Sequence, residues 1–151
     1  MTEEAVNPPF ESPEIAAWLL WLEQLDPSKI EFGLERIRSV YERLPQLSAN
    51  TKIVTIAGTN GKGSCVAVLQ QAAVALGKSV VSFSSPHLLR YNERIQIQAE
   101  PASDAELVSA FQEIAHAQDG THLTYFEYGA LAALVVAAQR QPDLLILEVG
   151  L

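Results

Sequence analysis

Residues 52–76, KIVTIAGTNGKGSCVAVLQQAAVAL, constrain the fold more than any other stretch of the chain. KIVTIA is a β-branched run without polar alternation, the pattern of a strand buried on both faces of a parallel sheet. Gly58, Gly61 and Gly63 then fall within six positions, around a lone Lys62. From about Lys62 to Leu76 the residues suit a helix, and Gly77 stands where a helix commonly ends in the left-handed conformation. Glycines between a strand and a helix let the backbone curl until successive N–H groups converge on an anion. The helix N-terminus adds the positive end of its dipole. Lys62 supplies a point charge for β- and γ-phosphates, and Ser64 a hydroxyl. The spacing departs from the G-x-x-x-x-G-K-[ST] phosphate loop: the first glycine is Gly58 where that pattern needs it at Ile56, and Gly63 separates Lys62 from Ser64. The lysine and both flanking elements still predict a phosphate cradle.

The rest of the chain repeats the strand–helix alternation. SVVSF (79–83) reads as a second buried strand, ERIQIQ (93–98) as a strand with one polar face, and LLILE (144–148) as the most hydrophobic strand. Ser103-x-x-Glu106 and Thr124-x-x-Glu127 are capping boxes that open helices, the second running to about Arg140. Ser12-Pro13 reads as an N-cap followed by the first helical position, before Ile15, Trp18, Leu19, Leu22 and Leu25 at helical spacing. Leu34, Ile37, Tyr41 and Leu44 mark a short helix closed by Pro45. The expected class is α/β: a P-loop-type, mostly parallel sheet flanked by helices, with KIVTIA, SVVSF and LLILE central and mutually parallel. Residues 1–12 are expected to form a flexible arm. The chain stops at EVGL, directly after a core strand, so truncation is expected as well.

In an open α/β sheet, ligands collect at the carboxyl ends of the strands. The glycine loop, Ser84-Ser85 and Glu148 all fall at such ends. An apolar strand finishing in an acid beside a phosphate loop is the pattern of a metal-holding carboxylate. Glu148 is therefore expected to hold a metal, with Lys62 pairing directly with it in the absence of nucleotide. The net charge of −8 and pI near 4.8 speak against a nucleic-acid partner or an anionic membrane surface. The longest apolar stretch, ALAALVVAA, is too short to span a bilayer. One cysteine forbids an intrachain disulfide and fits a reducing cytoplasm; Cys65 is expected to be a small buried residue, Trp18 and Trp21 to pack the first helix, and His116 and His122 to be solvated. Arg90 and Arg94 are open to two readings, approach to phosphates or pairing with Glu93.

GTNGKGS (58–64) resembles the phosphate loop of the Mur-ligase superfamily, and SSPHLLRYNERI (84–95), LTYFEYGALAAL (123–134), LILEVGL (145–151) and KIEFGLERI (29–37) resemble its folate branch. The resemblance covers nearly all of 13–151. It implies a Mur-ligase-like ATPase domain of an ATP-dependent acid–amino-acid ligase, which phosphorylates a dihydropteroate or folate carboxylate so that L-glutamate can attack the acyl phosphate. Carried over position by position, it implies that Thr59, Asn60, Gly61, Lys62, Gly63 and Ser64 bind ATP, with Lys62 also catalytic, and that Ser85 and Glu148 hold Mg2+. Ile30, Glu31 and Phe32, with Thr124, Tyr125, Phe126 and Glu127, would bind dihydropteroate. Glu31-Phe32 replaces the branch's usual Asp-Leu. The branch continues beyond this point with a Gly-Gly-Arg-Leu-Asp-Ala-Thr-Asn run, a further magnesium-ligating His, a carbamylated Lys and a glutamate-ligase domain. Residues 13–151 would thus be an incomplete N-terminal ATP-binding domain of a cytoplasmic, monomeric enzyme, the chain alone being inactive. Two alternatives stay open at this point: a nucleotide-binding module without catalysis, and a cell-wall amino-acid ligase, against which GLER and TYFEY count.

Overall fold

The computed structural model describes residues 7–25 and 34–150. Its elements are α1 (Ile15–Glu23), α2 (Glu35–Tyr41), β1 (Lys52–Ile56), α3 (Lys62–Ala75), β2 (Val80–Phe83), β3 (Ile95–Ile97), β4 (Glu100–Pro101), α4 (Asp104–Ala117), α5 (Tyr125–Arg140) and β5 (Leu144–Glu148), with a 3-10 turn at Tyr91–Arg94 leading into β3. The sheet order is β1-β5-β2-β3-β4. β5 runs parallel to both β1 and β2, while β3 and β4 add antiparallel pairings on the far side.

Side chains alternate along each strand, so neighbouring residues serve opposite layers. Val81, Phe83 and Leu145 join the large core formed with α1, α2, α4 and α5. Val80 and Ile146 face the other way, toward Val66 and Ala73 of α3. Fully buried Leu131, Val135 and Val136 make α5 the spine of the larger layer, each such side chain stabilising by about 1.5–3 kcal/mol relative to exposure. Both capping boxes form: Ser103 and Thr124 accept from the N–H groups of Glu106 and Glu127, whose carboxylates reach back to the cap N–H groups. At the end of α3, Gly77 N–H donates to the Val74 carbonyl and Lys78 N–H to that of Ala73, as the sequence predicts.

Three expectations need correction. KIVTIA is not a central strand buried on both faces. β5 takes the central place, β1 lies at the sheet edge, and Ile53 is 55% exposed. A β-branched run reports strand geometry but not the number of neighbouring strands. Helix α1 begins at Ile15 with Glu14 as its N-cap, because the Ser12 hydroxyl accepts the Glu14 N–H in a local turn rather than capping the helix. The end of the expected arm is docked: the Phe10 ring lies 6.2 Å from that of Trp18 and 4.7 Å from that of His116, and Gln112 donates to its carbonyl.

Candidate functional site

Gly61 is the N-cap of α3 with φ +77, a left-handed conformation that costs a side-chain-bearing residue about 1–2 kcal/mol. Gly58 has φ +145. A Cβ at either glycine would meet nothing within 4 Å. Backbone conformation rather than crowding therefore demands glycine there, and the loop faces open space in front of the first turn of α3. Lys62 curls back over this loop, its ammonium donating to the carbonyls of Gly58 at 2.9 Å and Thr59 at 3.5 Å. The predicted direct pair with Glu148 does not form. The flexible lysine stem reaches the loop's own carbonyls, which satisfy the ammonium locally, and Cys65 one turn on is exposed rather than buried.

Glu148 closes β5, the central strand, and is buried at 6% exposure. Its Oε2 accepts the Ser85 backbone N–H at 3.2 Å. The same oxygen lies 4.0 Å from where a Cβ on Gly63 would stand, so the carboxylate borders the first turn of α3. The carboxyl ends of β1, β5 and β2 thus bring the glycine loop, Glu148 and Ser85 to one edge, as the sequence predicts. A buried carboxylate satisfied by a backbone N–H and facing an N–H-rich loop is a donor set for a hard cation that also touches phosphate oxygens. Among the described residues no group of three or more His, Cys, Asp and Glu side chains could hold a metal. A cation here would take two protein ligands at most from Glu148 and Ser85 and complete its shell with phosphate oxygens and water, which is how Mg2+ is usually held.

The 84–90 loop is pinned by the 3-10 turn that follows it. Glu93 pairs with neither arginine; its carboxylate accepts the N–H groups of Leu88 at 2.8 Å, Leu89 at 3.0 Å and Arg90 at 2.8 Å. The N–H bonds from Leu88 and Arg90 foremost hold its carboxyl below the usual range. Arg90 reaches Asp104 at 3.3 Å. Arg94 donates through Nε to His87 Nδ1 at 2.9 Å and lies over the rings of Tyr91 and Tyr125, 5.4 and 5.3 Å from their centroids. These contacts give His87 a partner that sequence reading did not assign. Acid and base one residue apart at 93–94, following an SSPH turn, were the signal available for them.

Of the residues assigned to the folate side, Ile30, Glu31 and Phe32 lie outside the described residues. The Thr124 side chain is occupied in capping α5. Glu127 makes a 2.7 Å ion pair with Arg36 on α2. Burial alone would raise its carboxyl, but the Arg36 guanidinium and the Thr124 N–H outweigh burial and bring it below the ordinary range. Tyr125 is partly buried beneath Arg94, and burial raises its phenol. Phe126 is 38% exposed, with its ring edge-on to Phe83 at 5.8 Å. A Cβ on Gly150, two residues after Glu148, would fall 2.4 Å from Phe126 Cζ. Sequence reading missed Gly150, since nothing local marks a glycine needed by a distant ring.

No protein-family model matches the chain. The dihydrofolate synthase/folylpolyglutamate synthase of Escherichia coli K12 is 44% identical over 150 residues, 99% of this chain and 34% of that relative. Its counterpart in Haemophilus influenzae is 42% identical over 91% of this chain and 31% of its own length. This chain belongs to the dihydrofolate synthase/folylpolyglutamate synthase family. It spans about a third of the length of the curated relatives it matches. The solved E. coli FolC in complex with DHPP and ADP superposes with a TM-score of 0.88 at 43% identity, over 96% of this chain and 35% of that one. The bifunctional folylpolyglutamate synthase/dihydrofolate synthase from Yersinia pestis, complexed with AMPPNP and Mn ion, gives 0.90 at 46%, over 97% and 35%. The mostly parallel, Mur-ligase-like sheet flanked by helices is therefore a folate-branch fold. Among the described residues no helix is long and apolar enough to cross a membrane.

Proposed function

We propose that the chain is the ATP- and magnesium-binding part of a ligase that joins L-glutamate to dihydropteroate and, γ-linked, to folates. The observation that carries this reading is the buried Glu148 carboxylate, which accepts the Ser85 backbone N–H and lies beside Gly63 in the first turn of α3. Its relatives support it: the solved FolC binds ADP and DHPP, and the Yersinia protein binds AMPPNP and a Mn ion. Thr59, Asn60, Gly61, Lys62, Gly63 and Ser64 would cradle the phosphates with backbone N–H groups, the Ser64 hydroxyl and the Lys62 ammonium. To do so Lys62 exchanges the loop carbonyls for phosphate oxygens and becomes the catalytic cation of the site. Ser85 and Glu148 would hold the magnesium. Bound Mg·ATP supplies the phosphoryl group that activates the acceptor carboxylate. Phe126, exposed above Phe83 and Gly150, offers a face to a pterin ring, with Tyr125 beside it and Ile30, Glu31 and Phe32 completing that side. Thr124 and Glu127 serve it by fixing the first turn of α5. The segments that bind glutamate belong to the remaining length of such an enzyme, which works as a monomer in the cytoplasm.

Isothermal titration of ATP with Mg2+ into the protein tests the reading. Lys62→Ala should weaken binding by about 1.5–3 kcal/mol, the worth of a charge-assisted contact, with the melting temperature unchanged because Lys62 fills no core space. Equal affinities in the two proteins would refute it.

A further inference from the structure

Ser85 stands at the start of a loop whose two exposed leucines, Leu88 and Leu89, pack against nothing that would hold it. The hydrophobic core therefore does not fix this loop, and its conformation depends on polar bonds. Those bonds come almost entirely from two adjacent residues. The Glu93 carboxylate gathers the consecutive N–H groups of residues 88–90. Arg94 acts at both ends: its carbonyl accepts the Ser84 N–H at 2.9 Å, immediately before Ser85, and its guanidinium holds His87 immediately after Pro86. The guanidinium also lies 5.4 and 5.3 Å from the ring centroids of Tyr91 and Tyr125, which stand edge to face at 85°, the latter in the first turn of α5 beside Phe126. A planar cation that donates to an imidazole nitrogen while lying beside two rings has its orientation restricted, as a lysine in its place would not.

We propose that Glu93 and Arg94 are positioning residues for the metal: together they set Ser85 against Glu148 and tie that loop to the α5 turn carrying Tyr125 and Phe126. Neither touches nucleotide or cation. They act as outer-shell partners do, by removing the conformational freedom that a ligand would otherwise lose on binding metal. The inference rests on the nucleotide and metal reading above and deepens it.

The test is titration of ADP into the protein with and without Mn2+, comparing wild type, Arg94→Gln, Arg94→Lys and Glu93→Gln. In the wild type Mn2+ should tighten ADP binding. In Arg94→Gln that metal-dependent gain should fall by roughly 10-fold or more, the usual cost of losing an outer-shell partner, while metal-free ADP affinity, set by residues 59–64, stays within about two-fold of wild type. Arg94→Lys should recover little, because the ammonium lacks the fork that spans His87 and the two rings. If Arg94→Gln does not fold, Glu93→Gln in the 3-10 turn decides by the same criterion, and amide exchange at 88–90 should quicken in it. A wild-type metal gain left intact in both variants overturns the positioning role and leaves the nucleotide reading standing. Equal losses with and without metal, alongside a lowered melting temperature, overturn it too, by showing a merely structural role. Absence of ADP binding in the wild type removes the nucleotide reading and this inference together.

Discussion

At Gly150 a methyl group would overlap the Phe126 ring, with three ring carbons between 2.4 and 3.1 Å from the added Cβ. Gly150→Ala should therefore push the ring off Phe83. The expected cost is about 1–3 kcal/mol of overpacking, read by thermal unfolding, together with weaker dihydropteroate binding and unchanged ATP affinity. Phe126→Ala makes the complementary case: in the ligase it should raise KM for dihydropteroate more than KM for ATP. A collapse in melting temperature with no selective substrate effect would make the ring a core residue instead. Glu148 was legible because an acid after an unbroken apolar strand has few structural reasons to exist. The place of Lys62 in the loop at the start of α3 was legible but its contact was not, because a flexible side chain chooses among nearby acceptors that sequence does not rank. Gly150 and His87 were illegible, since each takes its meaning from a residue brought near only by folding.

Between elements, the Arg36–Glu127 pair joins α2 to the first turn of α5 with both side chains about 15% exposed or less. The Glu127 carboxyl titrates below its ordinary range in the folded protein. The pair's contribution is therefore fully present above the unfolded carboxyl value of about 4.3, and it is lost as pH falls through the lower folded value. Glu127→Gln should lower the melting temperature near neutrality, by about 1.5–3 kcal/mol for a lost charge-assisted bond, and the gap to wild type should narrow as pH drops below about 4. A gap independent of pH would show that the pair contributes nothing through charge. Both capping boxes were readable because their signal is local, three residues apart. The position of β1 was not, because strand order is fixed by which crossovers pack, and the β1-to-β2 crossover through α3 leaves room for β5 between them. The exposed Ile53 on that edge marks the difference; Ile53→Lys should leave stability within about 0.5 kcal/mol while raising solubility, as charges on edge strands do.

Across the whole molecule, one layer of the sheet is thick, built from α1, α2, α4 and α5, and the other is α3 alone among the described residues. Val68, Leu69 and Leu76 of that layer remain exposed, on a chain that spans a third of its relatives' length. In an acidic chain with 10 Lys and Arg against 18 Asp and Glu, the proposed phosphate site draws on backbone N–H groups and one lysine at the point where three parallel strands end. Crystals of the protein grown with AMPPNP and Mn2+, with anomalous scattering locating the metal, decide whether those strand ends form one nucleotide and metal site. A manganese peak bonded to the Glu148 carboxylate and the Ser85 hydroxyl is expected, with the β- and γ-phosphates on the N–H groups of residues 59–64. A manganese peak away from Glu148, or phosphates bound anywhere but that loop, would contradict it.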